Sequence, residues 1–212
     1  MSAITLEILK ITVGAGFQLT SPAFAQLRQT AFSAGVKDQW YGMIQGRQNL
    51  LCWLIEWPAS IRDPLSYAGP EPSKFSFRDS IRALDAQQSP TSWLLPFKNA
   101  DLIRPALTAP VCEICDVNLK PGVDRTQPDI AKSLHKTFTD CYDAPDGGFT
   151  GGHWAVNALN ERHNVYLLGW DSRELHAKYF ATPLCALELK NLDAYNEGGE
   201  GLFINLTHEH NE

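Results

Sequence analysis

The sequence repeats itself, and this repeat restricts the fold more than any other feature of the chain. A shift of 106 residues places Glu7 on Glu113 without a gap. After an insertion the shift becomes 113 residues, and Trp57 then falls on Trp170. Further identities at the first shift are Ile8 with Ile114, Gly16 with Gly122, Pro22 with Pro128, Ala25 with Ala131 and Phe32 with Phe138. Identities that keep this order along the chain indicate a tandem duplication.

Both halves of the chain predict the same order of elements, and we expect a first unit over residues 1–108 and a second over 109–212. Each half begins with a strand, and a helix follows that has proline in its first turn, where the missing N–H costs nothing. The last strand of the first half is ambiguous, since SWLLPF and LIRPALT both fit. The second half predicts strands at 110–119, 149–158, 163–170 and 201–208, with helices from Pro128 and over 172–189.

The order β-α-β-β-α-β is that of the ferredoxin-like fold, in which both helices cover one face of an antiparallel sheet. The other face of such a sheet is bare and must be covered. Two copies in one chain can cover each other. The sequence therefore predicts an α+β protein in which tandem ferredoxin-like units pack through their sheets into one intramolecular barrel and enclose a cavity.

The stretch that contains Trp170, Asp171 and Ser172, with His176 in the next helix, resembles the antibiotic-biosynthesis-monooxygenase type of dimeric α/β barrel. The first strand of the second half ends in LKPG (residues 119–122), and this strand end also resembles that family. The resemblance extends over nearly the whole chain, as two fused units. It implies small-molecule chemistry in a cavity between sheet and helices. Members of the family are cofactor-free oxygenases, haem-degrading oxygenases, cyclases, isomerases and proteins without known activity.

The resemblance also implies roles for particular residues. Several oxygenases of the family use an asparagine in the first strand, a tryptophan that ends the third strand and a histidine in the following helix. Trp170 and His176 occupy the last two positions, whereas Glu7 and Glu113 stand where the asparagine is expected. The first half keeps Trp57 but has no histidine after it, so histidine chemistry is expected in the second half.

His153 is the first candidate for proton transfer. Strand alternation places it on one face with Ala155 and Asn157, and the equivalent positions in the first half are Gln39, Tyr41 and Met43. This face mixes polar and adaptable apolar groups, as ligand cavities do, so we expect Tyr41, Met43, Asn157 and Trp170 to bind substrate. A histidine there can exchange protons near neutral pH. The alternatives are a satisfied structural histidine, or a bulge at the two preceding glycines that turns the side chain away.

Glu113 and His176 are the other catalytic candidates. A carboxylate in mid-strand is costly to bury unless it is paired, so Glu113 is a general base, the partner of one, or a charge at a sheet edge or helix end. His176 is expected near the cavity mouth, with an exposed helix position as its alternative. The main role expected for Trp170 is structural. His208 and His210 are interpreted as part of a solvated end.

The cysteines and glycines give no support for a cofactor. Cys112 and Cys115 form a C-x-x-C on opposite faces of a predicted strand, and no second pair completes a tetrahedral zinc site. Glycine motifs that cradle phosphates are absent from the sequence. We therefore expect no metal and no organic cofactor, and reduced thiols in the cytoplasm.

Charge and hydropathy restrict the partners. The net charge of −6 argues against nucleic acid, and no apolar run reaches the ~18 residues of a membrane span. The N-terminus has no cationic lead-in, so we expect no signal peptide. The expected partner is a small molecule bound by a monomer or weak homodimer. One hypothesis is an enzyme that acts on an apolar or aromatic, polyketide-like metabolite by acid–base or oxygenase-type chemistry. The alternative is a binding protein without turnover.

Overall fold

A computed structural model describes residues 3–211 of the chain. The elements in chain order are β1 (Ile4–Thr12), α1 (Pro22–Ser33), β2 (Asp38–Met43), β3 (Leu50–Trp57), α2 (Phe77–Leu84), β4 (Thr91–Phe97), α3 (Arg104–Leu107), β5 (Val111–Leu119), α4 (Pro128–Thr139), β6 (Phe149–Val156), β7 (His163–Trp170), α5 (Arg173–Phe180), α6 (Pro183–Asp193), β8 (Asn196–Gly198), β9 (Gly201–Ile204) and β10 (Thr207–His210). They form two compact units. The first extends to Asn99 and also contains the C-terminal residues from Ile204, and the second runs from Ala100 to Phe203.

In the first unit, five antiparallel strands are ordered β10-β2-β3-β1-β4. Alternate side chains of β3 point towards α1 and α2, because successive residues of a strand face opposite sides of the sheet. Trp53 and Trp57 from β3 therefore pack in one core with Phe24 of α1 and Phe77 of α2.

In the second unit, the strands are ordered β6-β7-β5-β8, and β9 also pairs with β5. Every residue of β7 is buried, and Tyr166, Leu168 and Trp170 face the helices. Leu134 and Phe138 of α4 pack on this face. The predicted α+β class with two fused ferredoxin-like units is confirmed by the order of the elements in each unit. The closure of the two sheets into one barrel stays a prediction.

The structure settles which segment forms the last strand of the first half, and it divides a helix that the sequence predicted as one. SWLLPF lies in β4, whereas LIRPALT contains the short helix α3, which has Pro105 in its first turn. The single helix expected over 172–189 is two helices. Thr182 is extended, with φ −76° and ψ 151°, because the residue before a proline avoids helical geometry. The Thr182 hydroxyl oxygen then accepts a hydrogen bond from the Cys185 N–H and begins α6.

The last predicted strand is divided between the two units. β9 pairs with β5, whereas β10 pairs with β2, so that His208 lies opposite Trp40 and His210 opposite Asp38. Both histidine side chains are solvent-exposed, as interpreted from the sequence, but the two residues belong to a paired strand and not to a loose end. The compact units also differ at this point from the repeat boundaries of 1–108 and 109–212. No helix within residues 3–211 has the length and hydropathy needed to cross a membrane.

Glu7 lies at the centre of β1 with no exposed surface. Its carboxylate accepts hydrogen bonds from Trp57 Nε1 at 2.8 Å, from Arg78 Nη1 at 2.7 Å and from Ser92 Oγ at 2.6 Å. Desolvating a carboxylate is costly unless charge and donors compensate it. The guanidinium of Arg78, supplied by α2, is therefore the counter-charge that allows a glutamate in the middle of this sheet.

We predict that Arg78→Ala lowers the free energy of unfolding by about 3–5 kcal/mol, because it leaves a buried carboxylate without its cation. The matched control is Arg82→Ala on the same helix. Arg82 pairs with Asp79 at the surface, and its removal should cost less than about 1 kcal/mol. Urea unfolding followed by circular dichroism measures both, and equal losses would contradict the role given to Arg78.

Candidate functional site

A cavity of about 300 Å³ opens between the sheet and the helices of the second unit. Strand alternation in β5 and β7 directs Glu113, Cys115, Leu168 and Trp170 towards the helices, and these side chains form part of its wall. The helices contribute mainly apolar and aromatic groups, among them Cys141, His176, Tyr179, Phe180, Cys185 and Leu192. Apolar walls with a few polar groups are typical of a small-molecule site.

A carboxylate and an imidazole meet in this cavity. Glu113 Oε2 accepts a hydrogen bond from Trp170 Nε1 at 2.9 Å, and Glu113 Oε1 lies 3.5 Å from His176 Nε2. The side chains of Glu113 and His176 are 9% and 14% exposed. The His176 ring packs against Trp170 and Phe203, at centroid distances of 5.1 and 4.7 Å. Three residues singled out in the sequence are therefore neighbours at one site.

Local sequence explains how these groups come together. Trp170 ends β7, and Ser172 caps α5 by accepting a hydrogen bond from the Leu175 N–H at 3.2 Å. The helix therefore starts directly after the strand. One turn of 3.6 residues brings His176 back over the strand end, next to Trp170 and Glu113.

The first unit has the same glutamate–tryptophan bond but a different third partner. Arg78 of α2 binds Glu7 where α5 of the second unit supplies His176 to Glu113. An arginine stays charged at every physiological pH, whereas a histidine can take up and release a proton. Tyr67 and Phe77 also pack on Trp57, at centroid distances of 5.3 and 6.0 Å. The third partner of the carboxylate is therefore a permanent cation in the first unit and an imidazole in the second.

The thiols around the cavity are held neutral. Burial raises the pKa of Cys115 well above its usual value, and burial raises the pKa of Cys141 and of Cys185 as well. Burial also raises the pKa of the Tyr179 hydroxyl. Because the thiolate is the form that attacks carbon or binds metal, these cysteines are poor nucleophiles and poor metal ligands at neutral pH.

His153 occupies a position that differs from the expected one. It is half-buried in the edge strand β6, with Nδ1 2.9 Å from the Trp154 carbonyl oxygen and its ring 5.2 Å from that of Phe138 in α4. The pairing of β6 shifts register between Phe149 and Gly151, where Gly151 has φ +123°. The bulge lies just before His153 in β6, and the His153 ring contacts α4 through Phe138. His153 is not among the described residues that line the cavity.

Asn157 belongs to a row of hydrogen-bonded, buried polar side chains that was not predicted from the sequence. Its Nδ2 lies 3.0 Å from His163 Nδ1, and His163 Nε2 lies 3.1 Å from Asp116 Oδ2. Asp116 also lines the cavity. A polar residue between the apolar residues of β5 was the available signal for Asp116.

Tyr41 and Met43 lie in β2 of the first unit. Tyr41 is buried in that unit's core, edge-on to Phe24 at a centroid distance of 5.3 Å, and Met43 packs against the same core. The structure therefore gives both residues a packing role. Their predicted contact with substrate stays untested.

The sequence matches no family model and no curated protein. The fold does recur in solved structures. A protein of Lactobacillus acidophilus described as a candidate monooxygenase has a TM-score of 0.61 and 12% identity, with 99% of this chain and 97% of that chain covered. A second, from Fusobacterium nucleatum and described in the same way, has a TM-score of 0.63 and 7% identity, with coverages of 99% and 95%.

A third structure, described as an anthrone oxidase-like protein, has a TM-score of 0.64 and 11% identity, with 99% of this chain and 94% of that chain covered. At these identities the likeness concerns the fold. The resemblance predicted from the sequence is therefore confirmed as one of fold: the chain shares its two-unit α+β architecture with these three structures.

We predict that Trp170→Ala lowers the free energy of unfolding by about 3–5 kcal/mol, because the side chain has no exposed surface and its removal leaves a cavity. Tyr142→Ala is the control, since that ring is 62% exposed and should matter far less. Urea unfolding followed by circular dichroism gives both values. A small loss for Trp170→Ala would show that the ring does not support the core.

Proposed function

We propose that the second unit is the active site of a cofactor-free enzyme that moves a proton on a small, largely apolar and aromatic molecule. The observation that carries this proposal is the Glu113 carboxylate beside His176 in a cavity with apolar walls. Neutral imidazole is the base, and it removes a proton from a weakly acidic C–H or O–H group of the substrate. Glu113 stabilises the imidazolium that forms.

Trp170 is a positioning residue in this proposal. Its Nε1–H binds Glu113 Oε2 and leaves Oε1 directed towards His176. The carboxylate therefore does not need to reorient when the histidine becomes charged. Preorganised partners of this kind lower the cost of separating charge in a site that excludes water.

The substrate class follows from the walls and the size of the cavity. A volume of about 300 Å³ lies at the lower end of the range for small-molecule sites. The rings of Trp170, Phe180 and Tyr179 line it, and aromatic faces favour a planar aromatic ligand. These features support a compact hydroxyaromatic or aromatic ketone as substrate.

Direct reaction with oxygen is the chemistry we propose for the deprotonated substrate. It is supported by the fold shared with two candidate monooxygenases and an anthrone oxidase-like protein. The carbanion reduces O₂ and forms a C–O bond, and the resulting peroxide anion takes the proton back from the imidazolium and becomes a hydroperoxide. Loss of water then gives the quinone. One oxygen atom enters the product, the other leaves as water, and the substrate supplies the electrons.

A binding protein without turnover is the second candidate. The observation that favours it is that burial keeps Cys115, Cys141, Cys185 and Tyr179 neutral. The thiols and the phenol that line the cavity are therefore chemically quiet. A ligand could remain there unchanged.

We predict that His176→Gln and Glu113→Gln each lower kcat/KM for aerobic oxidation of anthrone by roughly 10²–10⁴-fold, the usual contribution of a proton-transfer group. Oxygen consumption and the absorbance of the quinone product measure the rate. His153→Gln is the matched control in the same unit and should keep the rate of the unaltered protein.

If His153→Gln loses the activity while His176→Gln and Glu113→Gln keep it, the chemistry belongs to His153, and the proposed roles of Glu113 and His176 are wrong. If neither the unaltered protein nor any variant oxidises anthrone or related hydroxyaromatics, thermal-shift measurements with the same compounds test whether the protein is a binding protein. Stabilisation of the unaltered protein without turnover would support a binding protein.

A further inference from the structure

Two histidines and an aspartate meet at the edge of the first unit's sheet, whereas the groups assigned to proton transfer belong to the second unit. His208 Nε2 lies 2.7 Å from Asp38 Oδ1, and His210 Nδ1 lies 2.9 Å from the same oxygen. One ligand atom from each of the three side chains lies within 4.8 Å of the others. This cluster of two imidazoles and one carboxylate is called the edge cluster below.

Strand geometry explains how the edge cluster forms. His208 and His210 are two residues apart in β10, so their side chains point to the same face of the sheet. The antiparallel register places Asp38 directly opposite His210 and Trp40 opposite His208. The His208 ring stacks on the Trp40 ring, with centroids 4.9 Å apart and planes 7° from parallel. This stacking holds one imidazole in place.

We propose that the edge cluster binds a zinc ion, with water as the fourth ligand. Imidazole nitrogen and carboxylate oxygen are ordinary zinc ligands, and Zn–N and Zn–O distances of about 2.0–2.2 Å put the ligand atoms of a tetrahedral site ~3.3 Å apart. The present separations of 2.7 and 2.9 Å need to widen only slightly. The histidine side chains are 44% and 51% exposed and have room to do so.

The ion would fasten the C-terminal strand to the first unit. β10 has only four residues and pairs along the edge strand β2. On its other face, Glu209 binds Arg28 at 2.6 Å, and Arg28 lies against the core residues Phe24 and Tyr41. Zinc at the edge cluster and the ion pair at Glu209 would therefore hold the strand from both sides.

This zinc site departs from the sequence-based expectation of no metal, and it leaves the proposed cofactor-free chemistry of the second unit unchanged. Asp38 is 172 residues from His210 in the sequence. A spacing rule for metal ligands therefore does not detect the edge cluster.

The test is a zinc titration of the full-length chain, without an affinity tag and after treatment with EDTA, by isothermal titration calorimetry. We expect one zinc per chain. His210→Gln and Asp38→Asn should each weaken zinc binding by at least roughly 10-fold, the scale on which changes in a metal site act. His135→Gln, which alters a histidine outside the edge cluster, should bind zinc as the unaltered protein does. Mg²⁺, which prefers oxygen ligands, should not compete.

Two further measurements keep the result interpretable. The circular dichroism spectrum of zinc-free His210→Gln should match that of the unaltered protein, so that lost binding is not lost folding. Zinc should slow hydrogen exchange of the β10 amides in the unaltered protein and not in His210→Gln. Absence of binding at micromolar zinc, or equal affinity and stoichiometry in the unaltered protein, His210→Gln and Asp38→Asn, would overturn the site.

Discussion

A carboxylate buried in the middle of a β-sheet is the constraint on which both units depend. Such a group is stable only if donors reach it inside the core. In each unit, the tryptophan that ends the third strand donates its Nε1–H to the glutamate of the central strand. The bond is 2.8 Å long from Trp57 to Glu7 and 2.9 Å from Trp170 to Glu113. The bond joins β1 to β3 in the first unit and β5 to β7 in the second.

The two units differ in the second residue that contacts the buried carboxylate. Arg78 binds Glu7 with both of its terminal nitrogens, at 2.7 and 3.0 Å, and this bidentate pair fixes the orientation of the glutamate. His176 lies beside Glu113 at 3.5 Å and faces an open cavity. One copy of the duplicated unit therefore pairs its carboxylate with an arginine, and the other places it beside a histidine at the wall of a cavity.

Part of the candidate site could be predicted from the sequence because its members belong to the repeat. Glu113 and Trp170 recur at equivalent places in both halves, and His176 follows a recognisable helix start. His153 could not be placed in the same way, because the sequence does not show that β6 is an edge strand or that the imidazole contacts Phe138 of α4. Asn157 also required the structure, since its partner His163 belongs to a neighbouring strand.

By itself the sequence determined the duplication, the order of strands and helices in each copy, and therefore the α+β class. These properties depend on local periodicity and on the positions of proline and glycine, which act over a few residues. Only the tertiary structure decided that the chain's last strand joins the first unit and that Asp38 meets His208 and His210. Such contacts join residues far apart in the chain. They depend on which strand edges pair and in which register, and a single bulge or proline changes that outcome without altering the local pattern.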